Sequence, residues 1–256
     1  MKVIQDLKIS KKISLNKEHF ILECTSVEGL PEIAPGQFAE ILVEHNNKVF
    51  LRRPLSIHDV NFEKQSLQFF VKIVGEGTRE LSLLHEGNTL NVVFPLGNGF
   101  RLPDAGKVLL VGGGCGSAPL LFLARKLHEK GIALTTLLGA RSETDLMETE
   151  LFEQFGAVCI STDDGTAGEK GFITRHSLWN RANEFDIIYC CGPEVMMKVV
   201  AALAKEKNVE CYVSLENTMA CGIGACLCCV TETVRGNECV CTQGPVFNIN
   251  ELKWQI

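Results

Sequence analysis

Half of the cysteines in this 256-residue chain lie close together near its C-terminal end, and no other feature restricts the possible folds as strongly. Six of the twelve fall between Cys221 and Cys241. The first ten residues alternate charged and apolar side chains and lack the apolar core of a signal peptide, so we expect a cytoplasmic protein. In a reducing compartment, clustered cysteines hold metal more often than they form disulfides, so the pattern predicts a metal centre.

The spacing of three of these cysteines favours an iron–sulfur cluster. Cys221, Cys226 and Cys229 fit the C-x4-C-x2-C pattern that opens plant-type 2Fe–2S sites. Gly222 and Gly224 let the loop wrap closely, because no Cβ keeps its N–H groups away from the sulfur atoms. The cluster then needs one further thiolate.

Either Cys239 or Cys241 can supply that fourth thiolate, and Cys228 is an additional cysteine within the same segment. A structural zinc site is the alternative metal centre. Zinc cysteines usually form two pairs whose members lie two to four residues apart, and this spacing fits such pairs poorly. Inert thiols are the third interpretation.

The pattern of apolar residues divides the chain into three segments. Residues 1–101 contain short β-like runs separated by turns such as Pro35-Gly36 and Asn46-Asn47, which predicts an antiparallel barrel or sandwich. In residues 102–215 strands alternate with helices, which predicts an α/β domain with a mostly parallel sheet. Residues 216–256 form the cysteine-rich segment. The predicted strands cover 3–9, 19–25, 38–43, 67–73, 89–94, 108–111, 133–138, 157–161, 186–190 and 210–215, and the predicted helices cover 118–130 and 194–207.

A glycine-rich loop lies near the start of the α/β segment. Residues 112–116, Gly-Gly-Gly-Cys-Gly, follow an apolar run and precede a predicted helix. Such a turn is typical of a pyrophosphate site, because the backbone N–H groups and the helix dipole face the anion. Residues 191–193, Cys-Gly-Pro, also lie between a predicted strand and helix, at the sheet edge where ligands bind. Plain tight turns are the alternative for both.

Two short sequences in the first segment have the residue types of phosphate sites. Arg53 and Ser56 combine a bidentate donor with a small hydroxyl group, and Gly77-Thr78 belongs to a compact loop. In isolation, both are more often surface turns. The net charge of −6 and the 7% aromatic content argue against a nucleic-acid binder, which needs a basic surface or a stacking platform.

The motifs, in this order, resemble those of the ferredoxin–NADP reductase superfamily. Arg53-Pro-Leu-Ser56 resembles its R-x-Y/F/L-S/T flavin motif, Gly77-Thr78 its flavin-pyrophosphate turn, residues 114–119 its G-x-G-x-A-P nicotinamide loop, and residues 191–193 its C-G-P element. The resemblance implies a β-barrel domain that binds FAD and an α/β domain that binds NAD. The implied FAD residues are Arg53, Pro54, Leu55, Ser56, Phe70, Val71, Lys72, Gly77 and Thr78. The implied NAD residues are Gly112, Gly113, Gly114, Gly116, Ala118, Pro119, Gly192 and Pro193, with Cys191 as the catalytic candidate at the nicotinamide–flavin contact.

The cysteine-rich segment resembles that of the electron-transfer subunits of dihydroorotate dehydrogenase B. This resemblance covers essentially the whole chain and assigns the cluster to Cys221, Cys226, Cys229 and Cys241. It implies a separate FMN-containing catalytic subunit, in a heterotetramer with two chains of each kind. Electrons would pass from dihydroorotate through FMN, the cluster and FAD to NAD⁺, during orotate formation in pyrimidine biosynthesis. A flavin suits this position because it connects the two-electron chemistry of nicotinamide with the one-electron chemistry of a cluster.

Two other functions stay open from the sequence. One is a subunit that passes electrons from NAD(P)H to ferredoxin or to a hydrogenase, and the other is a redox-sensing module without turnover. We expect the chain alone not to oxidise dihydroorotate, because three cofactor sites fill its length. Leu227, Val246 and Phe247 are the predicted contacts with the catalytic subunit, since they lie near the cluster cysteines in the sequence.

Overall fold

Two β-structures organise the chain: a closed six-stranded barrel and a seven-stranded, mostly parallel sheet. The computed structural model describes residues 1–44 and 48–254, and the turn predicted at Asn46-Asn47 lies outside them. The predicted fold class, a barrel followed by an α/β layer and a small cysteine-rich segment, is confirmed. No helix among the described residues is long and apolar enough to cross a membrane.

The barrel closes in the order β1-β2-β5-β4-β3-β6, with antiparallel pairing throughout. Its strands are β1 (Val3–Ser14), β2 (His19–Thr25), β3 (Phe38–Ile41), β4 (Arg53–Asn61), β5 (Ser66–Lys72) and β6 (Thr89–Leu96), with helix α1 (Glu76–Leu83) between β5 and β6. Alternate residues of each strand point inward, so side chains such as Leu7, Leu22 and Phe69 fill the interior and are fully buried.

The sheet has the order β10-β9-β8-β7-β11-β12-β15, and β15 alone pairs antiparallel to its neighbour. Its elements are β7 (Lys107–Gly113), α2 (Ala118–Glu129), β8 (Ala133–Ala140), α3 (Thr149–Glu153), β9 (Ala157–Thr162), β10 (Glu169–Lys170), β11 (Ile187–Cys191), α4 (Glu194–Glu206), β12 (Glu210–Ser214) and β15 (Val246–Asn248). The central strands β7 and β11 are nearly continuous apolar runs because both faces of the sheet are covered.

Two elements near the predicted phosphate motifs were not predicted. Arg53 and Ser56 lie on β4, where a proline, an arginine, a histidine and an aspartate conceal the apolar alternation of a strand. Gly77-Thr78, predicted as part of a loop, forms the first turn of α1. Both motifs therefore lie on regular structure, which holds them in place.

The cysteine-rich segment packs against both β-structures. Its hairpin consists of β13 (Val230–Thr233) and β14 (Gly236–Cys239), and β15 then extends the parallel sheet beside β12. Just after β6, the Asn98 N–H donates to the Gly244 carbonyl at 2.6 Å, and the Asn98 side-chain amide donates to the carbonyls of Thr242 and Gln243. This segment is therefore fixed to the barrel end as well as to the sheet.

The barrel and the sheet meet where α2 packs on β4, a contact called the seam below. Phe122 of α2 is fully buried and belongs to the apolar core of the barrel. Arg125, one turn further along α2, donates to the Asp59 carboxylate at 2.6 and 3.1 Å and to the Val60 carbonyl at 2.6 Å. The barrel core therefore includes a side chain of α2, the helix that covers the parallel sheet, and the two parts of the chain share this core across the seam.

Replacing Phe122 with alanine tests this shared core. We expect Phe122→Ala to lower the free energy of unfolding by about 3–5 kcal/mol, because a fully buried ring is removed and a cavity remains. Phe172→Ala is the matched control, since Phe172 is 59% exposed and should cost less than about 0.5 kcal/mol. Urea-induced unfolding of the full chain measures both. Equal losses in the two variants would contradict the shared core.

Candidate functional site

The glycine-rich loop lies at the carboxyl ends of two neighbouring parallel strands. β7 and β11 are paired so that Gly112 faces Cys191. A Cβ placed on Gly116 would lie 2.3 Å from the Cys191 carbonyl oxygen, so only glycine allows this close approach of the two chain segments. Gly114 has φ +54° and open space on its side-chain face. The backbone is therefore accessible at the N-terminus of α2, which suits a dinucleotide.

The other predicted NAD residues lie around this edge. Gly113 and Gly192 both face Met196 of α4, and Pro193 is the N-cap of that helix. Ala118 and Pro119 form the first turn of α2 and are buried. The structure thus brings the eight predicted NAD residues to one edge of the sheet, and the site itself stays a prediction.

Cys191, the predicted catalytic candidate, is a buried neutral thiol beside this edge. Its Sγ donates to the Ser214 carbonyl at 3.6 Å and lies 3.7 Å from Glu216 Oε1. Burial raises the pKa of Cys191 well above its usual value, and the Glu216 carboxylate raises it further. Cys191 therefore offers a packing surface and not a base or a nucleophile.

The predicted flavin residues of β4 form a half-buried face, unlike the closed interior of the barrel. Residues 53–56 are all partly exposed. The Arg53 side chain lies directly over the start of α1. A Cβ placed on Gly77 would be 2.2 Å from Arg53 Nε, so only glycine leaves room for the guanidinium. The Thr78 hydroxyl accepts the N–H of Val74 at 2.9 Å and so orders the turn that precedes α1. A guanidinium beside a helix N-terminus fits a pyrophosphate group.

The three predicted flavin residues of β5 have different environments. The Val71 side chain is fully buried in the barrel core, so only its backbone can contact a flavin. Phe70 is buried at the seam, where it packs against Ala118. Lys72 is half-buried and lies opposite His19 on β2. Of these three side chains, Lys72 alone is available to a cofactor.

The four predicted cluster ligands share one feature: each sulfur atom lies within hydrogen-bonding distance of a backbone N–H group. The donors are the N–H groups of Cys226 to Cys221 at 3.4 Å, Cys228 to Cys226 at 3.5 Å, Cys241 to Cys229 at 3.4 Å, and Gly224 to Cys241 at 3.1 Å. Donors of this kind stabilise thiolate ligands and a reduced cluster, so the loop fits a 2Fe–2S centre. Among the described residues, no three potential ligand side chains converge on a single metal-ion position.

The two sides of the cysteine loop differ in their electrostatics. Slight burial raises the pKa of Cys221, but the N–H groups of Ile223, Cys226 and Ala225 outweigh it and lower that pKa to about 6. Burial raises the pKa of Cys241 to about 12. The Cys241 thiol therefore loses its proton only when the sulfur binds a metal. The backbone N–H groups alone stabilise the Cys221 thiolate.

Glu40 of β3 connects the barrel to the cysteine loop, and sequence reasoning missed it. The residue is 1% exposed, and neither of its carboxylate oxygens has a hydrogen-bond partner. A Cβ placed on Gly222 would lie 2.6 Å from Glu40 Cγ, so the carboxyl group packs directly on the loop. Burial raises the pKa of Glu40 to about 7, although Arg52 opposes this shift. No sequence pattern could have identified it, because its environment comes from a distant segment.

Two family models match the chain. Residues 216–253 match the iron-sulfur cluster binding domain of dihydroorotate dehydrogenase B, and residues 110–202 match the oxidoreductase NAD-binding domain. These two matches cover the cysteine loop and the glycine-rich edge described above. The 2Fe–2S cluster, FAD and NAD expected from the sequence are thereby confirmed as the cofactors, together with the reductase-like barrel.

Curated relatives and a solved structure resemble the chain over nearly its whole length. The electron transfer subunit of dihydroorotate dehydrogenase B (NAD(+)) from Shouchella clausii is 36% identical, over 94% of each chain. The subunit of the same description from Caldanaerobacter subterraneus subsp. tengcongensis is 41% identical, over 85% of this chain and 86% of its own. A chain from the structure of an NADH-dependent reduced ferredoxin–NADP oxidoreductase, described for flavin-based electron bifurcation, is 36% identical with a TM-score of 0.88, over 97% of this chain and 90% of its own.

Serine substitutions separate the four predicted ligands from the two additional cysteines. We expect Cys221→Ser, Cys226→Ser, Cys229→Ser and Cys241→Ser to lose or distort the cluster, because each removes a sulfur held by a backbone N–H. Cys228→Ser and Cys239→Ser are the matched controls and should retain about two irons per chain. Iron analysis and the visible spectrum measure the result. A bleached Cys239→Ser variant beside an unchanged Cys241→Ser variant would reassign the fourth ligand, and stoichiometric zinc without iron would reject the cluster.

Removing the Arg53 guanidinium tests the flavin site. We expect Arg53→Ala to weaken FAD retention roughly 10- to 150-fold, since a charge-assisted hydrogen bond contributes about 1.5–3 kcal/mol. Arg181→Ala is the control, because Arg181 is exposed and pairs only with its neighbour Glu184 in the described structure. Flavin occupancy after dialysis measures both variants. Occupancy equal to that of the control would remove Arg53 from the site.

Proposed function

The chain belongs to the family of dihydroorotate dehydrogenase B electron transfer subunits, and from this we propose that it accepts electrons from an FMN-containing catalytic subunit. It is an oxidoreductase subunit that carries electrons through a 2Fe–2S cluster and FAD to NAD⁺. The name of its relatives implies a catalytic partner. We propose a cytoplasmic heterotetramer with two chains of each kind, which serves orotate formation in pyrimidine biosynthesis.

The observation that supports this proposal is the order in which the segments with the three predicted sites pack on one another. The cysteine loop packs on the barrel at Glu40 and Leu96, through Gly222. The flavin face of β4 belongs to the same barrel, and β4 packs on α2, which begins at the nicotinamide loop. This order supports a short route from cluster to flavin to nicotinamide within one chain.

We assign binding and orientation, not proton transfer, to the side chains of this route. Arg53 and the start of α1 bind the flavin pyrophosphate, while the glycine-rich loop and the N-terminus of α2 bind the dinucleotide. A flavin held by these residues would supply the exchange of single electrons with the cluster and of a hydride with the nicotinamide. Hydride transfer depends mainly on the approach of the two rings, so the neutral Cys191 thiol suits their contact.

The partner contact predicted from the sequence needs one correction. Phe247 is 1% exposed and lies in the main apolar core, so it is not available to a partner. Val246 packs against a second core, whereas Leu227 is 64% exposed. Ile223, in the same loop, is 53% exposed. We propose that Leu227 and Ile223 contact the catalytic subunit beside the cluster.

Assays of the chain with and without a partner test this division of labour. We expect the FAD-loaded chain alone to oxidise NADH with ferricyanide as acceptor and to show no dihydroorotate oxidation, because a substrate barrel alone needs ~250 residues. Adding a cognate FMN-containing dihydroorotate dehydrogenase subunit should restore dihydroorotate:NAD⁺ activity. Dihydroorotate oxidation by the isolated chain would refute the proposal.

A second candidate function has one specific observation in its favour. The chain from the ferredoxin–NADP oxidoreductase structure is as similar to this chain as the Shouchella clausii subunit is, at 36% identity. A subunit of that kind would exchange electrons with ferredoxin through a different partner. If a cognate dihydroorotate dehydrogenase subunit restores no activity but reduced ferredoxin supports NAD(P)⁺ reduction, the second candidate replaces the first.

A further inference from the structure

His58 is buried at the seam on β4, two residues beyond Ser56, the last residue of the predicted flavin motif. Its ring is 1% exposed. Nδ1 lies 2.7 Å from the carbonyl oxygen of Ala118, the first residue of α2. Nε2 lies 2.9 Å from Glu148 Oε2 and forms an ion pair with it, although the N–H is not aligned on the oxygen. One side chain of the barrel thus contacts two separate segments of the nucleotide domain.

We propose that the His58 imidazolium is a positioning residue for hydride transfer, because it joins the flavin strand to the end of the nicotinamide loop. The inference rests on the proposed function, in which residues 53–56 bind the flavin and residues 112–119 bind the nicotinamide dinucleotide. A movement of His58 relative to Ala118 would change the distance between these two sites. Rates of group transfer respond strongly to such shifts, by roughly 100-fold for about 1 Å.

The partners of His58 determine its charge state. The Ala118 carbonyl can only accept a hydrogen bond, so Nδ1 carries hydrogen. The Glu148 carboxylate, 2.9 Å from Nε2, attracts a second proton to the ring, which is then a cation. Burial lowers the pKa of His58, but the adjacent Glu148 carboxylate, the Ala118 carbonyl and Asp59 outweigh it, and the pKa is raised above its usual value. The cation therefore persists below this raised pKa and is lost as the pH rises through it.

The charged groups around His58 support the same arrangement. From β4 itself Asp59 faces the ring, and Arg125 of α2 neutralises that carboxylate by an ion pair at 2.6 Å. Phe70 of β5 lies between His58 and His19, with both ring-centroid distances at 5.7 Å. Since Arg125 already pairs with Asp59, Glu148 is the main counter-ion of His58 among the described residues.

Glu148 brings a second nucleotide segment into this contact. The residue has φ +59°, a left-handed conformation that a non-glycine residue keeps only where the surrounding structure holds it. It closes the loop that follows the carboxyl end of β8, and Asn16 of the barrel also donates to that loop, at the Thr144 carbonyl at 3.3 Å. The barrel therefore holds both the nicotinamide loop and this adjacent loop.

Two variants and one matched control test the proposal in the FAD-loaded full chain. His58→Gln keeps one donor but cannot carry charge, and Glu148→Gln removes the counter-ion with little change of shape. Glu150→Gln is the control, since Glu150 is exposed two residues away on α3. Anaerobic rapid mixing with NADH gives the limiting rate of flavin reduction and the NADH dissociation constant across the neutral pH range. Thermal unfolding and FAD content show whether each variant is folded.

We expect the rate of flavin reduction in the unmodified chain to fall as the pH rises through the pKa of His58. Both variants should lose this pH dependence and reduce flavin roughly 10- to 100-fold more slowly, with NADH affinity and FAD content close to normal. Glu150→Gln should match the unmodified chain. An unaltered rate and pH profile in Glu148→Gln and His58→Gln would overturn the proposal. A parallel loss of rate, affinity and FAD would also overturn it, because it would show a purely structural role.

The proposed function fails in a different way. An unmodified chain that retains FAD but is not reduced by NADH would refute the nucleotide–flavin assignment itself. Normal reduction of the unmodified chain together with unaltered variants would refute only the role of His58.

Discussion

The packing of β4 on α2 sets the relative position of the proposed flavin and nicotinamide sites, and the rest of the arrangement depends on it. The first half of β4 carries the flavin motif, and residues 58–60 contact α2 and the loop before α3. Phe122 enters the barrel core from the other side of the seam. Because a paired strand is stiff, contacts at one end of β4 determine the position of the other end. A rigid seam is therefore the physical condition for hydride transfer between the two sites.

Features that depend on short stretches of sequence were predicted well. The alternation in the first segment indicated the barrel strands, and the run over residues 108–111 indicated a buried parallel strand. The glycine-rich loop between strand and helix encodes a close backbone approach, and the C-x4-C-x2-C spacing indicated the iron–sulfur cluster that the family match supports. Which four cysteines bind the cluster stays a prediction. Where a residue type and its spacing fix the chemistry, the sequence alone was enough.

Features that depend on distant segments were not predicted. The strand β15 pairs with β12 although more than 30 residues separate them in the chain, and Phe247, expected at the surface, is buried for that reason. His58 acquires its significance from Ala118 and Glu148, and Glu40 from Gly222, so neither could be distinguished from an ordinary barrel residue by its neighbours in sequence. Side chains that join domains are defined by tertiary contacts, which local patterns do not contain.

The cysteines of the cluster segment differ in burial, so one side of the segment faces the core and the other faces solvent. Cys229 and Cys241 are buried in the core that includes Phe38 and Leu96 at the barrel end, whereas Cys226 is exposed. The predicted ligands Cys229 and Cys241 thus lie in the core at the barrel end, and Cys226 lies on the solvent side with the exposed Leu227. Since the hairpin and β15 fix this segment to the sheet, the orientation does not depend on the partner. Electrons from a docked subunit would then enter on the exposed side and leave on the buried side, in the direction that the proposed function requires.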